Sequence, residues 1–510
     1  DKRGCWLTFL MFFMTGIAIV IYLNQPPFQV RERDYAYAGS FYFFSAWIGL
    51  AVAAIWSLVE DLGKGRHSAL SAAAISAVCL LVPVEMAAQN WDDHDRSNRR
   101  TAVEMARNYL NSVGRNGVLI THGDNDTFPL WYAQEVEDVR TDVRICNTSL
   151  LGTDWHIDQM LWAVGESAPL DLSIPHEQYL YGTNEYIPVL DNRNEVMPIS
   201  DALMLFKHPQ VKVGMASGRK VDYWPSRKIS VPVNKANVVR SGILDAKYLD
   251  IIPDEIILTI PEGKDYLSKP ELFMLDFLSQ YEWDRPLHLL NAGGDLNIGI
   301  KDYFEFVGYS YKFIPIQNRI RNTDIGFSDT DELYRLMTET YSFDAVAADN
   351  YFIDHQNLYT HMGVNSIRNM FVNCANAFIK EGQYERAGEM LDRSCEIMRN
   401  YPLEGIPVGM SSNDYMVIET IEDYFKIGDA ESARALGAEL GAQLLVSARF
   451  FLEYYDYDRD NFELAANYIL YLGDALRSGG EKEMADTIEN ALEDLIRAAS
   501  GGADQSVDLS

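Results

Sequence analysis

NGVLITHGDNDTFPLWYAQEVEDVRTDVRICNTSLLGTDWHIDQM, residues 116–160, alternates two kinds of periodicity within one short stretch. GVLIT (117–121) is a short apolar run bounded by glycines, as a buried strand is, and FPLWYAQEVE (128–137) has helical spacing and is entered through Pro129. DVRICNTSLL (142–151) then reads as a second strand and DWHIDQMLWAV (154–164) as a second helix. This β-α-β-α order with short links predicts an α/β domain with a mostly parallel sheet and helices packed on it.

Working outward, TAVEMARNYLNSV (101–113) adds an amphipathic helix before the first strand. The same order recurs later, in KPELFMLDFLSQY (helix, 269–281), RPLHLLN (strand, 285–291), IKDYFEFVG (helix, 300–308) and YSYKFIPI (strand, 309–316). The α/β domain therefore runs over 91–320. It carries an insertion at about 169–263, rich in Pro, Asn, Asp and Tyr, in which RKISVPV and EIILTI are short strands.

Before this domain lie three uncharged runs: Trp6 to Leu23, Phe41 to Val59 and Ser68 to Val84. Each approaches the ~20 residues needed to cross a hydrocarbon core, so 1–90 reads as three transmembrane helices in a lipid bilayer. Lys2 and Arg3, and Lys64 and Arg66 in the short second link, place those loops in the cytoplasm by the positive-inside rule. Residues 89–510 then fall on the opposite, periplasmic face of a bacterial inner membrane. The chain opens on DKRGCW with spans already in progress, which reads as the C-terminal part of a longer membrane protein.

Beyond residue 320 the pattern is wholly helical. Phe371, Ala375, Phe378, Gly382, Tyr384, Ala387 and Leu391 have the spacing of a tetratricopeptide helix pair, and similar frames surround Gly428 and Gly480. Those turn glycines are further apart than the ~34 residues of that repeat, so 321–500 reads as tetratricopeptide-like helical repeats with long helices, against an ordinary helical bundle. Residues 501–510 read as a disordered tail. The net charge is −31, and from residue 321 onward 35 Asp and Glu face 14 Lys and Arg, which excludes nucleic acid as a partner of that region.

Two charged clusters carry the candidate chemistry. His122, Asp124, Asn125 and Asp126 lie where a strand ends and a helix begins, the usual ligand edge of an open α/β sheet. Asp124 and Asp126, with His122, can ligate a divalent cation, or form the D-x-D that holds a metal-bound nucleotide sugar. The competing reading is a tight turn with Asp126 or Thr127 capping the next helix, and His156 as a hydrogen-bonded junction residue. Arg31, Glu32, Arg33, Asp34 and Tyr35 lie between the first two apolar runs, where guanidinium forks can grip a phosphate while the carboxylates orient them.

QPPFQVRERDYAYAGSFYFF, the 116–160 stretch and the KPELFMLDFL...RPLHLL segment together resemble a bacterial family of multi-span membrane proteins with large exported C-terminal regions, long known as a domain of unknown function. The membrane half of that family is similar to the GT-C glycosyltransferases, and it is related to animal protein O-mannosyltransferases with C-terminal tetratricopeptide-like repeats. The resemblance implies transfer of a sugar from a polyprenyl-phosphate donor to an exported protein or glycan acceptor. It also implies a catalytic acidic residue in a first outer loop outside this chain, so the catalytic residues are unknown here. The alternative is a non-enzymatic, membrane-anchored binding or assembly protein of the cell envelope.

Overall fold

The computed structural model describes residues 2–24, 33–63, 69–91, 94, 95, 97, 99–190, 195–215, 218, 220–290, 296–320, 325–349, 364–406 and 411–499. The chain forms two compact units, Asp1–Asn98 and Arg99–Ser510.

The first unit is helical: α1 Lys2–Thr15, α2 Ile17–Leu23, α3 Ala38–Leu62, α4 Ala69–Cys79 and α5 Leu81–Asn90. They compose three segments long and apolar enough to span a membrane, Arg3–Leu23, Asp34–Leu62 and Ala69–Asn90, whose side chains are almost all left uncovered within the unit. That exposure of Leu, Phe and Ile is what a hydrocarbon environment requires and water penalises. The first two segments approach closely at Gly16, where an added Cβ would lie 2.5 Å from Ser40 Oγ. Ser40 there donates to the carbonyl of Phe12 at 3.0 Å. Above that contact Phe12 packs on Phe44 and Trp47 with ring centroids 5.9 and 5.7 Å apart. The third segment breaks at Leu80, one turn into the reach of Pro83, whose missing N–H leaves the Cys79 carbonyl without its helical partner.

In the second unit, β1 Val118–Thr121 and β2 Arg144–Asn147 are joined by α7 Asp124–Glu135, after α6 Thr101–Ser112, and β2 is followed by α8 Asp154–Met160. β3 Leu287–Leu289 follows α9 Lys269–Ser279, and β4 Phe304–Phe306 and β5 Tyr311–Phe313 complete a five-stranded sheet of order β4-β5-β3-β1-β2. β3, β1 and β2 are parallel, whereas β5 runs antiparallel to both β3 and β4. The sheet is therefore mixed, not mostly parallel. The difference arises at IKDYFEFVG, expected as a helix, which instead forms a short 3₁₀ turn at Ile300–Asp302 and the strand β4.

Two features impose the strand. Gly308, at φ +87°, closes a tight hairpin against the Tyr341 ring, where a Cβ would lie 2.8 Å away. Glu305 is then set directly across from Lys312, and Nζ reaches its Oε2 at 3.1 Å with both side chains buried. A helix would have turned Glu305 away from that partner.

The alternation of β1 feeds two cores. Val118 and Ile120 point into one shared with the insertion at about 169–263, while Leu119 points into another shared with α6, α7 and the helices beyond residue 330. RKISVPV and EIILTI are strands, paired antiparallel with Lys228 opposite Thr259, and Val196–Pro198 joins them in parallel.

The described helices from residue 364 onward form a bundle: α10 Val364–Lys380, α11 Tyr384–Ile397, α12 Ser411–Ile427, α13 Ala430–Glu453, α14 Arg459–Ser478 and α15 Lys482–Ala499. Gly382, Gly428 and Gly480, at φ +72°, +88° and +92°, sit in the turns of its three successive pairs, where an L side chain would be strained. α13 is apolar and long enough to cross a membrane by composition, but Leu440, Leu444, Ala448 and Phe451 form a buried stripe on one face within the bundle.

Candidate functional site

The turn after β1 is built from backbone need. α7 begins at Asp124, five residues before Pro129, with Gly123 as its cap. Asp126 Oδ2 accepts the N–H groups of His122 (3.2 Å) and Gly123 (3.4 Å). Thr127 Oγ1 bonds Thr121 Oγ1 at 2.6 Å, donates to the Gly123 carbonyl at 2.7 Å and accepts from Asn147 Nδ2 at 2.7 Å. Asp126 is thus buried and occupied by the amides that enter the helix, while Asp124 is exposed and accepts from the Asn125 N–H at 3.0 Å. His122 Nδ1 lies 3.2 Å from Thr148 Oγ1. Among the described residues no group of three or more His, Cys, Asp or Glu is arranged to hold a metal ion. Of the other cluster, Arg31 and Glu32 lie outside the described residues, as do Lys64 and Arg66 of the second link. Arg33 precedes a 3₁₀ turn at Asp34–Tyr37, and Arg33, Asp34 and Tyr35 are exposed.

The hydrogen-bond network of the turn continues to a cleft. Asn147, which donates to the Gly123 carbonyl at 3.1 Å, gives its own N–H to His156 Nε2 at 3.2 Å. His156 Nδ1 lies 3.3 Å from Gln159 Oε1, and burial pushes this imidazole below its usual pKa, keeping it neutral as an acceptor. Beyond it, α7, β2 and α8 enclose a cleft of 620 Å³ walled by Trp131, Trp155 and Trp162. Gln134, Glu135 and Gln159 also line it. Trp131 is braced by Phe128, stacked at 5.4 Å, while Trp155 and Trp162 stand 47% and 61% exposed, far more than large aromatic rings usually do.

The floor is the sheet's edge. Arg144 and Thr148 turn their N–H groups to β1, bonding Gly117 and Thr121 at 2.9 Å, so Val143, Ile145 and Asn147 turn their backbones to the free side. The Val143 carbonyl is occupied by Gln134 Nε2 at 2.8 Å and the Asn147 N–H by His156. Among the described residues this leaves the Ile145 peptide groups and the Asn147 carbonyl on the free side, too short an edge to receive a strand.

Arg144 holds the α8 end of the floor. It is buried, and its guanidinium donates to the carbonyls of Gln159, Trp162, Ser167 and Ala168 at 2.7 to 3.2 Å. Its donors are spent on the backbone, and with Glu135 and Asp138 on the lining the cleft offers no grip to an anion. Paired aromatic faces with amide and carboxylate groups at their edges suit a neutral, hydroxyl-rich ring: its C–H face stacks and its hydroxyls bond sideways.

Sequence reasoning singled out the turn and missed the cleft. The available signal was tryptophan density, since three of the nine tryptophans fall within residues 131–162, on or just after the two helices that follow consecutive strands.

No curated protein and no solved structure matches the chain. Residues 102–332, which contain β1 to β5, the turn and the whole cleft, match the family model of TMEM260-associated domain 2.

Proposed function

We propose that this chain is the acceptor-handling part of a GT-C-type membrane glycosyltransferase, like the protein O-mannosyltransferases. It would serve transfer of a sugar from a polyprenyl-phosphate carrier to an exported protein or glycan on the periplasmic side of a bacterial inner membrane. The observation that carries the reading is the tryptophan-walled cleft, whose chemistry fits a neutral sugar and disfavours a phosphate. Three membrane-length helices supply the anchor such an enzyme needs. The carrier phosphate, in this reading, is held by Arg33 with the neighbouring Arg31, Glu32, Asp34 and Tyr35, and the bundle acts as tetratricopeptide-like repeats that recruit the acceptor.

The test uses the complete protein in membranes. Trp155→Ala and Trp162→Ala should each weaken binding of a neutral oligosaccharide acceptor roughly tenfold, the scale of one lost aromatic contact. The double variant should depress transfer through KM. Wild-type acceptor affinity in the double variant would sink the proposal. Loss of binding in a protein that transfers no sugar would instead identify a non-enzymatic assembly protein of the envelope.

A further inference from the structure

The bundle contains a second cavity, of 190 Å³, between α10, α11, α12 and α13. Its walls are apolar at Met398, Leu403, Val417 and Leu436, and Arg368 sits among them, only 5% exposed. A buried guanidinium ordinarily meets a carboxylate or spends its five donors on carbonyls, as Arg144 does. Arg368 does neither. Its contacts are two long ones, Nη1 to the Leu403 carbonyl at 3.5 Å and Nη2 to the Pro402 carbonyl at 3.3 Å. Among the described residues no carboxylate lies within ion-pair distance of it. Burial drives its pKa down to about 10, and the more distant charges of Asp414 and Glu439 offset that only in part. Arg399, the other cation of the lining, is engaged with Asp349, and Arg399 and Glu439 are its exposed charged members.

We infer that this cavity binds a monocarboxylate with a compact apolar body, its carboxylate on the Arg368 fork and its body against Met398, Val417 and Leu436. One positive charge without an ion-pair partner among the described residues balances a carboxylate and leaves a phosphate dianion half neutralised, while Glu439 on the lining disfavours a second negative charge further. The inference stands apart from the sugar cleft, since it rests on different residues in a different element set.

The probes are 4-methylpentanoate, the isosteric neutral 4-methylpentanamide and inorganic phosphate, added to the full chain in detergent. 4-Methylpentanoate should raise the thermal midpoint in a concentration-dependent manner. It should also slow modification of Cys395, which lines the cavity, by a small neutral thiol reagent, with the site mapped by mass spectrometry. The amide should bind at least roughly tenfold more weakly, because it forfeits the charge-assisted pair. Arg368→Gln should remove the carboxylate effect. Leu436→Trp, which fills the cavity and keeps the arginine, should remove it too, so a folding defect in the first variant leaves the test intact. Equal protection by amide and acid, stronger protection by phosphate, or no protection of Cys395 by the carboxylate would overturn the inference.

Discussion

The α/β region and the helical bundle both bury charge, and they treat it differently. In the α/β region the buried carboxylates Glu271, Asp276 and Glu305 meet cations or backbone amides. Glu271 accepts from the Ser268 and Asn297 N–H groups and meets Lys264 Nζ at 3.0 Å, and Asp276 accepts from Ser173 and Ile174. Glu305 faces Lys312, which Glu332 also meets at 2.5 Å; these two carboxylates keep the lysine charged, its pKa driven up despite burial. In the bundle Glu404, Asp414, Glu419 and Asp423 are equally buried, but each has one oxygen bonded, by Ser447, Gly405, Asn376 and Lys426 respectively, and the other without a hydrogen bond among the described residues. A region whose charges are neutralised internally is a fixed scaffold, and this is where the cleft is mounted. Asp423 meets Lys426 Nζ at 2.7 Å, but among the described residues Glu404, Asp414 and Glu419 meet no cation within ion-pair distance; a region neutralised this thinly responds to protons and to ligands, and this is where the Arg368 cavity lies.

The comparison breaks first at Lys312. Replacing it with Met strands Glu305 in the sheet, so Lys312→Met should cost about 3–5 kcal/mol in chemical denaturation. The double variant Glu305→Met, Lys312→Met should recover most of that loss, because no unpaired charge remains. A small cost for the single variant would mean that the sheet does not depend on internal neutralisation.

A second expectation sharpens the bundle side. Burial pushes Glu404, Asp414 and Glu419 up to about 7 and Asp423 to about 6, from unfolded values near 4. The folded state therefore binds more protons than the unfolded state between those limits. The stability these groups contribute is full below about pH 4 and is lost as pH rises through 6 to 7. Melting of the bundle should occur at a lower temperature at pH 8 than at pH 5.5, with roughly 2–3 kcal/mol lost from the two most buried groups, Asp414 and Asp423. Asp414→Asn with Asp423→Asn should flatten the profile. A profile that rises with pH would show these carboxylates to be paired in solution.

The smallest expected effect concerns the turn before the cleft. Asp126→Ala removes the acceptor of the His122 and Gly123 amides and should cost about 1 kcal/mol. With Asp126 committed to two amides, Mn²⁺, Mg²⁺ or Ca²⁺ should leave the thermal midpoint unchanged. A midpoint raised by one of these ions, and restored by Asp124→Asn, would give the turn the cation site its sequence allows.

The sequence by itself determined the three membrane-length segments, because seventeen or more residues without a charge leave few soluble alternatives. It also determined the β1-α7-β2-α8 order and the helix pairs turning at Gly382, Gly428 and Gly480, since periodicity and turn residues are local properties. Strand β4 was not legible there: FEFVG is short, aromatic and acidic, and it became a strand because the Glu305 side chain finds Lys312 across a hairpin closed by Gly308. Asp124 and Asp126 look equivalent as letters, and only the arrival of the His122 and Gly123 amides buries one and leaves the other in solvent. The cleft and the Arg368 cavity belong wholly to tertiary structure. Trp131, Trp155 and Trp162 share a wall, and Arg368 meets no carboxylate at ion-pair distance among the described residues, because of which helices pack side by side, and no local pattern encodes that.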